Sequence, residues 1–380
     1  MDRVAVVAVA QTKFEKSKVD QNYAEMVYEV VQSLFNSSGI SYQDVDNIVT
    51  SSSDFWDGRT ISDMAIQDAV GAWMKSESKV SSDGTLATLY AMMRILAGSF
   101  NTTLVVAHSK SSEGDQAAIE NAIFDPIYQR QLGLDLTVVS AMQARAYMNR
   151  YPVTEVDLAA VVSKNLENAT RNPFAQRAIN LTIDQILARE MVCDPLRELD
   201  IAPPSDGAVA MLLAHESVVE RFTDKPVWLT GVGHCQDHYY LGDRDLSTSL
   251  SLEKASEKAY KMAGITDPRK DFDLVELYDA FSYQELLWTE ILGFAQKGQA
   301  AKLIHSGRSK LGGELPINPS GGVLSAHPMF VAGLARMAEA TLQLRNEAGE
   351  RQVEGAKRAL VHATVGPCGQ THCVWVLSRN

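Results

Sequence analysis

The chain has 380 residues, 46% hydrophobic and 22% charged, an ordinary folded-protein composition with room for two domain-sized units and a large core. A formal net charge of −12 and a pI near 5.2 exclude a general binder of nucleic acid or of anionic membranes, but leave room for a local basic patch toward a phosphorylated ligand. The four cysteines (Cys193, Cys235, Cys368 and Cys373) show neither metal-ligand spacing nor the density of a disulfide framework, so they read as free thiols of a reducing compartment.

The start of the chain carries charges at Asp2 and Arg3 and then a strand-like run over 4–9, which is not the layout of a secretory signal. No apolar run reaches membrane-spanning length, so the expected location is cytoplasmic. An amphipathic helix over 23–35 follows, with Ser38-Gly39 as its stop. The segment Gly39-Ile-Ser-Tyr-Gln-Asp-Val-Asp-Asn-Ile-Val-Thr leads on to Ser81-Ser82-Asp83-Gly84, a helix over 84–96 and a strand over 103–107. Residues 109–202 read as a largely helical excursion, with helices near 113–118, 139–150, 155–171 and 184–191. The run after Pro203-Pro204 returns the chain to a closing strand.

The order then repeats. A strand over 227–232 and a helix over 252–262 precede Asp271-Phe-Asp-Leu-Val-Glu-Leu-Tyr278, as the earlier strand and helix precede the Asp44–Val49 region. A helix over 333–344 leads to a strand over 358–363, as 84–96 leads to 103–107. A period this long means two similar halves: 1–225, which includes the excursion, and 226–380. Alternation of apolar β-branched runs with helical patterns marks a wound α/β fold. Its two long helices would start facing one another at the junction, where a ligand cleft belongs.

The densest cluster is Asn318-Pro-Ser-Gly-Gly-Val-Leu-Ser-Ala-His327-Pro-Met-Phe-Val-Ala-Gly333. The glycines permit close backbone approach, and Pro328 suits a first helical turn. The dipole of the following helix is expected to keep His327 neutral, ready to accept a proton or donate a hydrogen bond. The plain alternative is a loop-to-helix turn with an incidental His.

This turn resembles the signature helix mouth of the thiolase superfamily. So do Asp206-Gly207-Ala208-Val209, Glu276-Leu-Tyr278-Asp279-Ala280-Phe281 and the Cys368-Gly369 loop, and the match spans the whole chain. It is closest to the branch of sterol-carrier-protein-type and archaeal acetoacetyl-CoA enzymes. The resemblance implies a five-layered αβαβα fold of two halves plus a loop domain. It also implies chemistry at the carbon–carbon bond beside a coenzyme A thioester, with CoA as substrate or product and no tightly bound cofactor or metal. A homodimer core is implied as well, with a small zinc-ribbon/OB-fold partner protein known among relatives.

Three departures matter. Ser81 stands where the family's nucleophilic Cys is expected, and a Ser hydroxyl without a strong base is a poor nucleophile; the plain reading is a helix cap. Tyr278 stands where the family carries His, and can still donate a hydrogen bond to an oxyanion. The second family Cys is replaced by Ala280, or by Gly366 in the last loop, leaving Cys368 as a nearby acid/base candidate or a small buried residue.

The expected catalytic set is therefore His327, Tyr278, Ser81, Cys368 and Asn318. Gly322, Ser320 and Gly369 are expected to bind the CoA thioester through their loops. Phe124, Tyr128 and Met142 are candidates for the acyl pocket or the core. His362 and His372 read as packing or surface residues, and His234, Cys235 and His238 do not make a zinc site. Three readings stay open: thiolytic acyl transfer, a CoA-thioester retro-aldol reaction without an acyl-enzyme, and a silent acyl-CoA-binding subunit.

Overall fold

The computed structural model describes residues 2–379. In chain order the elements are β1 (Val4–Gln11), α1 (Tyr23–Ser38), β2 (Asn47–Ser51), α2 (Ser62–Ile66), β3 (Ser76–Val80), α3 (Gly84–Leu96) and β4 (Thr102–Ser109). Then come α4 (Gln116–Ala122), α5 (Leu136–Arg150), α6 (Glu155–Ala169), α7 (Ile183–Leu187), a small ribbon of β5 (Met191–Cys193) and β6 (Leu196–Arg197), and β7 (Gly207–His215). The remainder is β8 (Val227–Gln236), α8 (Leu250–Ala263), α9 (Pro268–Asp271), β9 (Leu274–Glu276), α10 (Ser282–Ile291), α11 (Ala300–His305), α12 (Ala332–Arg345), β10 (Arg358–Val365) and β11 (Thr371–Ser378).

Nine strands join in the order β3-β2-β4-β7-β1-β8-β11-β10-β9. The sheet has two wings, because β1 and β8 pair only at Ala5 with Trp228 and Val6 with Val227. Four strands of each wing share one arrangement, and β3 extends the first wing beyond β2. In the first, β2 runs parallel to β4, and β7 and β1 follow antiparallel. In the second, β9 runs parallel to β10, and β11 and β8 follow antiparallel.

Strand alternation explains the layering. Successive side chains of a strand point to opposite faces. Thus Ala5 and Val7 of β1 face α1, joining Met26, Val30 and Leu34, whereas Val4 and Val6 face the middle of the molecule. There they meet Ala87, Ala91 and Ile95 of α3, Leu334 and Ala338 of α12, and Val361 and Trp375 from the second wing. The far faces of β10 and β11, through Leu360, Val374 and Val376, pack on α8, α10 and α6. The result is five layers: helix, sheet wing, a central pair of helices, sheet wing, helices.

Local signals set the helix ends. Asn22 caps α1, with Glu25 answering back to the Asn22 amide, and Gly39 ends the helix in the left-handed conformation. Such a cap is worth about 1 kcal/mol. The excursion between β4 and β7 is helical as expected, apart from the β5–β6 ribbon. No helix among the described residues is long and apolar enough to cross a membrane.

Candidate active site

The mouths of the two central helices meet. Asp83, not Ser81, caps α3, accepting from the Thr85 amide and hydroxyl. Its other oxygen accepts from the Gly333 amide at 3.0 Å, and the Gly84 amide donates to the Phe330 carbonyl at 2.8 Å. Asp83 is fully buried, and burial pushes its carboxyl up to about 6. Ser81 lies on the exposed side of this turn, away from the cavity described below. The expected nucleophile position, Ser81, therefore carries an exposed hydroxyl.

Tyr278 follows the end of β9, and His327 lies in the turn before α12. The phenol oxygen of Tyr278 and Nε2 of His327 are 2.7 Å apart, with the rings edge-on. His327 is fixed through its main chain: its amide donates to the Pro203 carbonyl and the Ser205 hydroxyl, and its carbonyl accepts from the Ser205 amide. Burial holds His327 at about 4 and Tyr278 well above its ordinary 10. At neutral pH the phenol therefore keeps its proton and the imidazole is neutral, and the two share one hydrogen bond. The neutrality of His327 is as expected, but its cause is different: desolvation, not a helix dipole. α12 begins only at Ala332, so Pro328 precedes the helix, its carbonyl accepting from the Val331 and Ala332 amides.

A cavity of ≈ 400 Å³ opens over this pair. Tyr278, Phe281, His327 and Phe330 line one part, and the loop 364–370 another. Gln116, Glu120, Thr137 and Ser140 of α4 and α5 bring polar groups from the excursion. Burial pushes the Glu120 carboxyl up to about 7.

Of the other expected site residues, Gly369 and Cys368 line the cavity, and Asn318, Ser320 and Gly322 are buried outside its lining. The Cys368 thiol donates to the Val139 carbonyl at 3.2 Å, and burial pushes it up to about 12, so it is held as a thiol. Asn318 is fully buried; its side-chain oxygen accepts from the Leu277 amide at 2.6 Å and its amide donates to Glu285. Ser320 binds Glu276 through both its amide and its hydroxyl.

The Gly322 amide is engaged by Ser320, and a Cβ on Gly322 would collide with Asp279, so this glycine allows a backbone approach to a carboxylate rather than to a ligand. These residues brace the end of β9 against the Gly-rich turn. Asp279 accepts from the Val323 amide and Asn165, and Glu285 pairs with Lys164 at 2.9 Å. Phe124 packs under Cys368, Tyr128 and Met142 are exposed, and none of the three lines the cavity.

Two contacts were not legible in the sequence. Arg244, in the segment between β8 and α8, donates to the carbonyls of Pro367, Cys368 and Gly369 and so fixes the cavity loop. A lone Arg in a loop gave no signal of this. His362 and His372 are fully buried and bonded to each other at 2.8 Å. They sit diagonally across β10 and β11, where His362 pairs with Val374 and His372 with Thr364.

Comparison with known proteins gives a consistent picture. A family profile described as thiolase C-terminal domain-like matches residues 233–379. The acetyl-CoA acetyltransferase of Methanothermobacter thermautotrophicus is 34% identical over 100% of both chains. Sterol carrier protein 2 of Gallus gallus is 30% identical over 95% of this chain and 69% of its own length. Among solved structures, the Ltp2-ChsH2(DUF35) aldolase superposes with a TM-score of 0.86 at 23% identity, covering 99% of this chain and 98% of that one.

Proposed function

From the premise that this chain belongs to the thiolase superfamily, we propose that its Tyr278–His327 pair moves the proton in a reaction at the carbon–carbon bond of a coenzyme A thioester. The chain is an enzyme of the superfamily's acyltransferase kind, making or breaking such a bond. The observation that carries the residue assignment is the 2.7 Å contact inside the cavity, between a phenol held protonated and an imidazole held neutral.

In the thiolytic direction a β-oxoacyl-CoA is attacked by the thiol of a second CoA. The thiol proton passes to the Tyr278 oxygen while the Tyr278 proton moves to His327 Nε2, and sulfur adds to the β-carbonyl. The bond between the α- and β-carbons then breaks. Its electron pair enters the thioester as an enolate, for which the backbone amides around Gly369 serve as the oxyanion donors, without reorganisation. The proton returns from His327 through Tyr278 to the α-carbon, giving two acyl-CoA molecules.

A second reading is supported by the superposed Ltp2-ChsH2(DUF35) aldolase, and like the first it needs no acyl-enzyme, in keeping with Ser81 outside the cavity and the Cys368 thiol pushed up to about 12. In it the hydroxyl of a β-hydroxyacyl-CoA gives its proton to the same pair. The same bond breaks, and the products are a carbonyl compound and an acyl-CoA. Turnover is assayed on β-oxoacyl-CoA with CoA and on β-hydroxyacyl-CoA without it, and the productive substrate decides between the readings. Full activity in His327→Ala would sink both.

The CoA phosphates are assigned to an open groove that shares Ser111, Gln116 and Ala202 with the cavity and carries Lys16 and Arg177, beside Asp115 and Glu198. β3 is an edge strand beside exposed Trp73 and Met74, an arrangement that supports a homodimer paired along that edge. A monomer in sedimentation would overturn it. The DUF35 component of the superposed Ltp2-ChsH2(DUF35) aldolase supports a small zinc-ribbon/OB-fold partner for this chain too, and copurification from the native host with no such partner bound would count against it. Four free thiols support a reducing, cytoplasmic setting, which fractionation of the native cells checks.

A further inference from the structure

We propose that His362 and His372 form a buried tautomeric relay that positions Tyr278 for its contact with His327. The proposal rests on the proton role given above to Tyr278 and His327, and it assigns a positioning role to two residues outside the cavity.

The direction of every bond in the relay follows from one fixed donor. The backbone amide of Tyr278 can only donate, and it lies 3.4 Å from Nδ1 of His362. Nδ1 of His362 is therefore bare and Nε2 carries the hydrogen. Nε2 lies 2.8 Å from Nδ1 of His372, which must accept, so His372 also carries its hydrogen on Nε2. That hydrogen points at the Ser249 hydroxyl oxygen, 3.0 Å away, which also accepts from the Leu252 amide at the start of α8. The Ser249 proton is then left for Ser251, at 3.1 Å. Each ring has one donor and one acceptor, both used. A second proton on either ring would set donor against donor, and burial opposes it, pushing His362 to about 3.

The Tyr278 main chain is gripped at both polar atoms. His362 takes its amide, and the Trp288 indole donates to its carbonyl at 3.2 Å. Trp288 stands edge-on to both imidazoles, which stack on each other. Gly369, in the left-handed conformation, lies against this assembly: a Cβ there would come within 2.8 Å of the His372 ring and 3.0 Å of Trp288. The amide contact is long, so its contribution is directional more than energetic. Two neutral imidazoles inside a sheet cost burial free energy that aliphatic residues would not, unless every nitrogen is bonded, as it is here.

Kinetics of His362→Leu, His362→Asn and Tyr278→Phe test the relay, each at matched thermal stability. Asn restores an acceptor for the Tyr278 amide at the place of Nδ1, and Leu does not. The expectation is a fall in kcat on the order of 10–100-fold for Leu with KM little changed, and substantial recovery for Asn, because a displaced reacting group costs rate more than binding. An unchanged kcat in His362→Leu, or an Asn variant no better than Leu, overturns the relay. If Tyr278→Phe turns over like the wild type, it is the proton role of the pair that fails. The relay is then judged without turnover, by ¹⁵N NMR of histidine-labelled protein. A bare Nδ1 on both His362 and His372 supports it, and a protonated Nδ1 on either overturns it.

Discussion

The phenol oxygen of Tyr278 lies 2.7 Å from Nε2 of His327, with the two rings at 88°. The pair joins residues 49 positions apart, one following a strand and one preceding a helix. Tyr278→Phe keeps the ring and its packing and removes only the proton path. It should lower kcat by roughly 10²–10⁴-fold, the usual worth of a positioned acid–base group. Calorimetric affinity for a CoA thioester should be preserved. Loss of affinity with kcat intact would mean that the phenol binds substrate and does not move protons.

The pH profile tests the state of His327. Its ordinary value of 6.5 is lowered to about 4 by burial, so the neutral base persists as pH falls from 6.5 toward 4. The acid limb of kcat should thus appear near pH 4, with a plateau above pH 5.5. Stability is a poorer readout because opposing shifts share the window. His327 binds fewer protons folded than unfolded, so its contribution is present above 6.5 and lost as pH falls. Asp83 and Glu276, raised to about 6 and about 7 chiefly by burial, contribute at low pH and lose that contribution as pH rises. An acid limb of kcat near 6.5 would show that His327 is solvated.

Ser81 should be dispensable. Its hydroxyl is exposed and outside the cavity, so Ser81→Ala should leave kcat within about twofold, as surface substitutions do. Ser81→Cys should not create thiolysis. A gain of CoA-dependent cleavage in that variant would show that this turn reaches the substrate.

The fold was legible because its signals are repeated and local. Strands such as β1 and β4 carry continuous apolar runs, α1 has its own stop at Gly39, and the order of elements recurs. Motif position put Tyr278 and His327 in one expected catalytic set, but their mutual contact came only with the fold. What was not legible depends on side-chain direction. Whether Ser81 or Asp83 turns inward, or whether Asn318 and Ser320 face a ligand or brace Glu285 and Glu276, is decided by packing of segments far apart in sequence. α10 was missed for a related reason. All but the last of its ten residues are buried, so Glu285 and Glu290 break the apolar face that a periodicity reading seeks.

Arg244 holds the cavity loop through three carbonyls at 2.7, 2.6 and 3.2 Å, with its side chain almost wholly buried. Arg244→Ala should cost about 3 kcal/mol, since hydrogen bonds to a charged donor are worth more than neutral ones and buried carbonyls are left behind. A Tm lower by roughly 4 °C follows for a chain of this size. KM for the CoA thioester should rise as the loop loosens. A variant with wild-type Tm and KM would show that the loop is held by its own backbone, including the left-handed turns at Cys368 and Gly369.

The groove beside the cavity carries the last prediction. The chain is strongly acidic overall, so a phosphorylated ligand must be met by local cations. Lys16 is exposed at the groove, and Arg177, largely buried, donates to the Ile201 carbonyl at its edge. Lys16→Glu reverses one of these charges without touching the Tyr278–His327 pair. KM for CoA thioesters should rise on the order of fivefold at low salt, and the difference should shrink at high salt, where exposed charges are screened beyond a few ångströms. kcat should be unchanged. A KM equal to that of the wild type at low salt would place the CoA phosphates elsewhere on the surface.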